Sequence, residues 1–401
     1  MVTILLNRTK FLSPLKRGSL FYLTFFGVVG MFLPFISLYF RQELGFSGRQ
    51  IAMLAMLPPF IMLTVAVPLA SLADRRSWRI PILITMLLGA SIVMVFAQFP
   101  QTFLIWMLVR FGIGFFISPT IPLADSLIAG MSSRYRLNYG TMRLCGSISF
   151  ALSAFVCGML WERVGFKAMF FTVAVSFLPA LFFASRLEEI PAVIDDQHVK
   201  ISFKEIVEDR GLLILLLTSF FIGASINISL TFDSIYMSSL GGTEVLVGIM
   251  FSLAAWGELP TMQYRDRLAR RLSGPTTLLL SYALLLTAFL GYVLAWHPQM
   301  LLCMAFVKGL GFGLFFVSVV KLINERVPEN WASTVQSLLS ASMFGLAPLV
   351  AAPVGGELFD RFGPKTVFIG SSLSVTIAAL LLFIAMIKGL LADVILDKQK
   401  A

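Results

Sequence analysis

Long runs of apolar residues, separated by short polar links, make up most of the chain. About twelve runs of about 20 residues each are present, and a helix of that length crosses the ~30 Å hydrocarbon core of a bilayer. Because a bilayer offers no water to the backbone, such runs are expected to be helical. The pattern therefore predicts an all-α integral membrane protein with twelve transmembrane helices. The predicted spans lie at about 18–40, 50–72, 80–97, 103–126 and 139–161, with a sixth that follows to about 187, and then at about 212–238, 245–264, 275–296, 299–323, 332–357 and 365–388.

The longest polar interval lies near the middle of the chain. It reads RLEEIPAVIDDQHVKISFKEIVEDR and separates six predicted spans from six others. We therefore predict an N-terminal six-helix bundle over residues 1–187, a cytoplasmic linker over 188–211 and a C-terminal six-helix bundle over 212–401.

The two halves are related in sequence as well as in the number of spans. GMLWERVGFKAMFF at 158–171 matches GELFDRFGPKTVFI at 356–369, with an offset of 198 residues. The same offset carries Arg110 onto Lys308. A repeat of this kind is typical of duplicated transporters, whose binding sites lie near the membrane midplane between pseudo-symmetric halves.

Composition and charge agree with a membrane protein. Of the 401 residues, 58% are hydrophobic and 13% are charged. The net charge of +10 would suit a nucleic-acid-binding protein, but the basic residues are distributed as in a membrane protein. With a cytoplasmic N-terminus, the outer links hold only Arg41, Arg49, Arg163, Lys167, Arg361 and Lys365, which is the positive-inside asymmetry. We expect a multi-pass protein of the cytoplasmic (inner) membrane, with both termini cytoplasmic, lipid as a partner and no nucleic acid.

An acid and a base interrupt the apolar pattern of the fourth and fifth spans. Asp125 ends one run and Arg143 lies in the first turns of the next. A charge in hydrocarbon costs roughly 3 kcal/mol on insertion scales, so it persists only when it is paired or faces water. An arginine presents a planar fork suited to a carboxylate. Arg143 is therefore predicted to anchor an acidic or hydroxylated substrate. Asp125 either shares that site or is the carboxylate that Arg143 leaves when it binds the substrate. The alternative is a structural ion pair between the two spans.

The second half carries its own buried ionisable residues. Lys308 lies near the middle of the tenth span, Glu258 within the eighth and Asp233 near the outer end of the seventh. We predict that Glu258 is the protonatable carboxylate, with Lys308 favouring its ionised form when the two are close. Asp233 is either the alternative partner of Lys308 or a solvated residue at the outer mouth. Arg110 is predicted to add positive charge to a cavity, with a packing role as the alternative.

Two motifs resemble those of the major facilitator superfamily. LADRR after the second span is similar to its gating motif, and YRDRLARR at 264–271 is similar to the weaker second copy. Asp125 and Arg143, 18 residues apart and followed by LCGS, resemble the lactose permease and phenylpropionate permease branch. The stretch at 232–258 is most similar to the phenylpropionate permeases. Over essentially the whole chain, the resemblance implies two pseudo-symmetric six-helix bundles and a proton-coupled permease for a small organic solute.

This resemblance also assigns roles to individual positions. Phe150 stands where lactose permease has a sugar-stacking tryptophan, and Lys308 where it has a histidine. Gly311 replaces the carboxylate of that permease, so its usual proton-handling pair is incomplete. The predicted substrate-binding residues are Asp125, Tyr139, Arg143 and Phe150, and the predicted gating residues are Asp74, Arg75, Asp266 and Arg267.

Other functions are less compatible with the sequence. A membrane enzyme is disfavoured, because no HExxH, phosphate-binding glycine loop, nucleophile with its base or metal cluster is present. A proton-coupled efflux antiporter on the same fold is the nearest alternative, although the fifth span lacks the proline of the usual exporter motif. The sequence therefore favours uptake by symport with H⁺ of an aromatic acid, sugar or nucleoside. We expect a monomer that needs no cofactor.

Overall fold

The computed structural model describes residues 12–190, 209–269, 272–327 and 329–391, and for some helical residues it describes the backbone alone. Long helices account for nearly all of this part of the chain. They are α1 (Pro14–Gln42), α2 (Gly48–Ala70), α3 (Arg79–Phe96), α4 (Phe103–Tyr135), α5 (Tyr139–Val164), α6 (Phe166–Ala184), α7 (Arg210–Ser239), α8 (Glu244–Ala269), α9 (Gly274–Leu294), α10 (Pro298–Arg326), α11 (Thr334–Phe362) and α12 (Pro364–Ile387).

The predicted all-α membrane fold is confirmed. In the described residues, eleven of these helices are long and apolar enough to cross a membrane. The remaining long helix, α8, has 26 residues and carries Glu244 in its first turn. Its length covers a bilayer, since about 20 helical residues suffice.

The helices group into two compact units. Within the described residues, the first unit contains 12–46 and 57–190, and the second contains 47–56 and 209–391. The first residues of α2 therefore belong to the second unit, whereas the sequence-based boundary assigns them to the N-terminal bundle. The amides of Gly48 and Arg49 donate to the two oxygens of Asp360, at 2.6 and 2.9 Å. This acceptor satisfies backbone donors that a helix start leaves without intrahelical partners.

Within the first unit, α1 lies closely against α5. The Ser149 hydroxyl donates to the Leu23 carbonyl at 2.5 Å, and the Trp161 indole donates to the Met31 carbonyl at 3.0 Å. Two side chains of one helix thus bond to the backbone of the other over several turns. This contact fixes the register of α1 against the helix that carries Arg143.

Helix ends follow the local chemistry of the chain. Asn138 caps α5 by accepting from the Thr141 amide, and Asp209 caps α7 by accepting from the Gly211 and Leu212 amides. Helix α4 continues nine residues beyond its predicted end and stops where Arg136 takes a left-handed conformation with φ of 52°. The link to α5 is consequently only a few residues long.

Four of the long helices contain irregular turns. Helix α1 is interrupted at 33–35, between the regular helices Pro14–Phe32 and Ile36–Gln42. Helix α4 is interrupted at Ser118–Pro119, where the regular helix Phe103–Ile117 gives way to Thr120–Tyr135. Helix α2 contains a π-helical segment over Met62–Ala66, after the prolines at 58 and 59. Helix α11 contains another over Ala341–Leu346. Proline and π-helical turns are common causes of helix bends.

Candidate functional site

A hydrogen-bonded cluster in the first unit surrounds Asp125. The Tyr22 hydroxyl of α1 donates to Asp125 Oδ1 at 2.5 Å and lies 3.1 Å from the Tyr139 hydroxyl of α5. Because a hydroxyl carries one proton, Tyr139 supplies the hydrogen for the second of these bonds. The Tyr22 hydroxyl therefore links three helices, α1, α4 and α5.

Arg143 lies one turn of α5 beyond Tyr139, against aromatic faces. Its guanidinium carbon is 4.1 Å from the centroid of the Phe26 ring and 5.4 Å from that of Tyr22. These distances are typical of cation–π contacts. We call Tyr22, Asp125, Tyr139 and Arg143 the first-unit polar cluster.

Asp125 and Arg143 do not form a direct ion pair within the described part of the chain. Tyr22 contacts both, since its hydroxyl bonds to the carboxylate and its ring lies beneath the guanidinium. The structural ion pair considered from the sequence is therefore not formed. Arg143 also makes no hydrogen bond to another described residue, which leaves its donors available for a ligand.

The other predicted residues of the first unit lie farther along the same helices. Phe150 is half-buried on α5, two turns beyond Arg143, so the two side chains share a helix face. Arg110 is buried in α4, with 8% of its surface exposed, about four turns before Asp125. Neither residue belongs to the hydrogen-bonded cluster around Asp125.

Glu188, just after α6, joins two helices near the cluster. Its Oε1 accepts from Arg17 of α1 and its Oε2 from the Tyr135 hydroxyl of α4, both at 2.7 Å. Arg17 lies five residues before Tyr22 on α1. Glu188 thus helps to set the positions of the two helices that supply Tyr22 and Asp125.

Glu189 makes a similar set of contacts to α3. It accepts from Arg79 Nε at 2.7 Å and from the Ile80 amide at 3.0 Å. Arg79 is 3% exposed, and its Nη1 donates to the Ser126 hydroxyl at 3.0 Å. Ser126 directly follows Asp125, so this buried arginine supports the backbone of the site.

The second unit contains a buried ion pair. Lys308 of α10 bonds to Asp233 of α7, and the two residues have 7% and 1% of their surface exposed. The Ser229 hydroxyl accepts from Lys308 Nζ at 2.8 Å and donates to Asp233 Oδ1 at 2.7 Å. Lys308 Nζ also lies 5.4 Å from the centroid of the Tyr292 ring. The sequence left two roles open for Asp233, and in the structure it is the buried partner of Lys308 and not a solvated residue.

Glu258 occupies a separate position on α8. It is half-buried, and its backbone packs against α10, where a Cβ on Gly313 would lie 2.7 Å from the Glu258 carbonyl oxygen. The carboxylate partner of Lys308 is Asp233 and not Glu258. The predicted pairing of Lys308 with Glu258 is therefore not formed in this structure, where Lys308 pairs with Asp233.

The four predicted gating residues fall where the structure describes only the backbone. Asp74 and Arg75 lie in the helical segment Val67–Arg76, and Asp266 and Arg267 lie in α8. Their side chains are outside the described residues, so their gating role stays a prediction.

A family model described as "MFS_1 like family" matches residues 15–370. This chain belongs to the MFS_1 like family. The predicted resemblance to the major facilitator superfamily is thereby confirmed, and the protein is a major facilitator transporter. The match spans helices of both units, from the start of α1 into α12.

Two relatives and one solved structure are similar to this chain. A maltose permease of Geobacillus stearothermophilus is 26% identical over 365 residues, covering 91% of this chain and 93% of that protein. A probable 3-phenylpropionic acid transporter of Escherichia coli (strain K12) is 28% identical over 157 residues, covering 38% of this chain and 40% of that protein. The crystal structure of the nucleoside transporter NupG matches with a TM-score of 0.78 and 15% identity, covering 94% of this chain and 98% of that one. The NupG likeness shows the fold alone.

Sequence reasoning about this MFS_1 like family member missed Tyr22. The residue lies in the aromatic run FYLTFF of α1, where one tyrosine among phenylalanines gives no periodic or charge signal. It is 1% exposed, and its partner Asp125 is 103 residues away along the chain. A polar hydroxyl in an apolar transmembrane run was the available sign, because buried tyrosine hydroxyls usually have a partner.

We expect Tyr22→Phe to weaken solute binding by about tenfold, because Asp125 loses a charge-assisted hydrogen bond worth ~1.5–3 kcal/mol. The measurement is the KM for uptake into proteoliposomes. Tyr39→Phe is the matched control, since Tyr39 is a buried α1 tyrosine that packs on Trp106 and Phe170. Equal KM values for the two variants would show that the Tyr22 hydroxyl does not contribute to the site.

Proposed function

We propose that this transporter imports a small organic solute together with H⁺, by alternating access. The solute class is an aromatic acid, a sugar or a nucleoside. The observation that carries the proposal is the first-unit polar cluster. In it, a hydrogen-bonded carboxylate and an arginine that pairs with no carboxylate among the described residues adjoin two aromatic rings.

The chemistry of the cluster favours a solute with an acidic or hydroxylated end and a flat or apolar body. The Arg143 fork can donate two parallel hydrogen bonds to a carboxylate. The Tyr139 hydroxyl oxygen and the Asp125 carboxylate can accept hydrogen bonds from hydroxyl groups of a solute. Phe26 of α1 lies beneath the guanidinium, and Phe150 lies on the same face of α5 as Arg143, two turns farther along. The names of the relatives, a maltose permease and a probable 3-phenylpropionic acid transporter, are compatible with these two kinds of solute.

We further propose that Glu258 carries the coupled proton. It is a half-buried carboxylate on α8, whose backbone packs against α10. The Asp233–Lys308 pair then serves as the charged support of the second unit. The distribution of Lys and Arg supports cytoplasmic termini and a cytoplasmic membrane. A monomer is the proposed transporting unit, because a single chain supplies every residue of the first-unit polar cluster and of the Asp233–Lys308 pair.

Uptake by purified protein in proteoliposomes tests this proposal. Labelled maltose, 3-phenylpropionate and uridine are offered separately, with an imposed pH gradient that is acidic outside. Accumulation of one solute above its equilibrium level, abolished by a protonophore, is the expected result. Gradient-driven expulsion would instead establish the efflux antiporter, and movement that ignores the gradient would refute proton coupling.

We expect Glu258→Gln to uncouple transport. The variant should still exchange labelled for unlabelled solute, because the first-unit polar cluster is intact, but it should lose accumulation driven by the pH gradient. Glu244→Gln is the matched control, since Glu244 is the acidic residue in the first turn of the same helix. Accumulation at the wild-type level by Glu258→Gln would exclude Glu258 as the proton carrier.

A further inference from the structure

The π-helical segment of α11 leaves one backbone carbonyl without a partner in its own helix. In a regular α-helix the Ala347 amide would donate to the Met343 carbonyl, but here it donates to Ser342. The next residue is Pro348, which has no N–H to offer. Met343 is fully buried, so water does not replace the missing donor.

Asn227 of α7 supplies that donor. Its Nδ2 donates to the Met343 carbonyl at 3.1 Å and to the Gly223 carbonyl of its own helix at 2.7 Å, which uses both amide hydrogens. The helices are very close here, since a Cβ on Gly223 would lie 2.7 Å from Met343 Cα. The Ser342 hydroxyl also donates to the Leu216 carbonyl, at 3.3 Å. The irregular turn of α11 is thus held by polar groups of α7.

Helix α7 carries both Asn227 and the residues around the buried ion pair. Asn227 precedes Ser229 by two residues and Asp233 by six on α7. A shift of α11 against Asn227 therefore acts on the helix that carries the partner of Lys308. The first unit has a related arrangement, in which the Ser118 hydroxyl donates to the Pro58 carbonyl at 3.2 Å. Pro58 lies just before the π-helical segment of α2, and Ser118 lies seven residues before Asp125 on α4.

We propose that the π-helical segment Ala341–Leu346 is a hinge of α11 and that Asn227 is the positioning residue that holds it. The Asn227–Met343 hydrogen bond stabilises the bent form of α11. During turnover this bond breaks and the hinge changes its pairing: the amides of the segment move from π to α acceptors, and the Ala347 amide moves from the Ser342 carbonyl to the Met343 carbonyl that Asn227 has released. The role in turnover rests on the proposed transport function, whereas the holding role does not.

Hydrogen–deuterium exchange on the purified full-length protein, without any solute, tests the holding role. Asn227→Leu keeps the approximate volume of the side chain but removes the donor. Exchange of the amides at 345–347 should rise by at least about tenfold, since a buried acceptor has lost its only donor. Ser225→Ala is the matched control, because Ser225 is buried in α7 and its hydroxyl bonds only to Ile222 of the same helix.

A second variant separates loss of the hydrogen bond from loss of packing. Pro348→Ala restores a backbone N–H that can reach the Met343 carbonyl, so the double variant Asn227→Leu/Pro348→Ala should return exchange to within about twofold of wild type. Unchanged exchange in Asn227→Leu, or no rescue in the double variant, would overturn the holding role.

Transport kinetics test the hinge. With whichever of maltose, 3-phenylpropionate or uridine is accumulated, Asn227→Leu should lower the maximal rate by about tenfold and leave KM within about threefold, because one state of the cycle is destabilised. The double variant should recover the rate. A wild-type rate in Asn227→Leu with fast exchange would refute the hinge. If the wild type moves none of the three solutes, the proposed function fails, and the exchange data still decide the holding role.

Discussion

Replacing Asp233 by asparagine should destabilise the protein by about 3–5 kcal/mol, because it leaves the buried Lys308 ammonium without a counter-charge. Lys308 is 7% exposed and its other contacts are the Ser229 hydroxyl and the Tyr292 ring, which do not neutralise it. For a chain of this size such a loss lowers Tm by roughly 5 °C. The measurement is thermal unfolding of the purified variant in detergent, compared with wild type.

The double variant Asp233→Asn/Lys308→Met provides the decisive comparison. Removing both charges should restore most of the stability, since replacing a buried ion pair by neutral side chains is often close to neutral. Glu325→Gln is the matched control at an exposed pair, because Glu325 and Lys321 are 3.9 Å apart with about half of each side chain exposed. That control should change stability by less than about 1 kcal/mol. If Asp233→Asn unfolds like wild type, the pair does not support the second unit.

Replacing Arg143 by alanine should reduce solute uptake on the order of a hundredfold or more. The N–H groups of the Arg143 guanidinium make no hydrogen bond to other described residues and are therefore available to a solute. Truncating a charged partner in a binding site typically costs ~2–5 kcal/mol of binding free energy. Arg143→Lys should give an intermediate loss, because lysine keeps the charge but not the planar fork. Initial uptake rates in proteoliposomes, corrected for the amount of reconstituted protein, measure the effect.

Two controls make the Arg143 result specific. Arg163→Ala removes an exposed arginine from the last turn of the same helix and should leave the uptake rate within about twofold of wild type, since surface changes of this kind have small effects. Thermal unfolding of Arg143→Ala should stay close to wild type, because the side chain makes ring contacts but no ion pair. Uptake by Arg143→Ala at the wild-type rate would refute a role in substrate binding.

The helices and the family could be predicted from the sequence because both leave local or repeated signals. Twenty apolar residues satisfy a bilayer only as a helix, whatever their neighbours are. The end of α4 was predicted less well, since the chain after Asp125 becomes polar and yet remains helical to Tyr135. Its end depends on the left-handed conformation of Arg136, which has no apolar signal.

The charged members of the site were also visible in the sequence, but their partners were not. Asp125, Arg143, Asp233 and Lys308 stand out because charges are unfavourable in hydrocarbon. The sequence offered both Glu258 and Asp233 as partners of Lys308, and only the packing of α7 against α10 selects Asp233. Tyr22 reaches Asp125 only because α1 lies against α5 beside α4.

By itself the sequence determined the all-α membrane fold, the repeated halves and the buried charges, since hydrophobic length and the cost of a charge act residue by residue. Tertiary structure decided that Tyr22 contacts both Asp125 and Arg143, that Lys308 takes Asp233, and that Asn227 bonds to the carbonyl which Pro348 leaves unpaired. Each of these contacts joins helices far apart in the chain. Their geometry depends on helix register and rotation, which the hydrophobic pattern of a single helix does not specify.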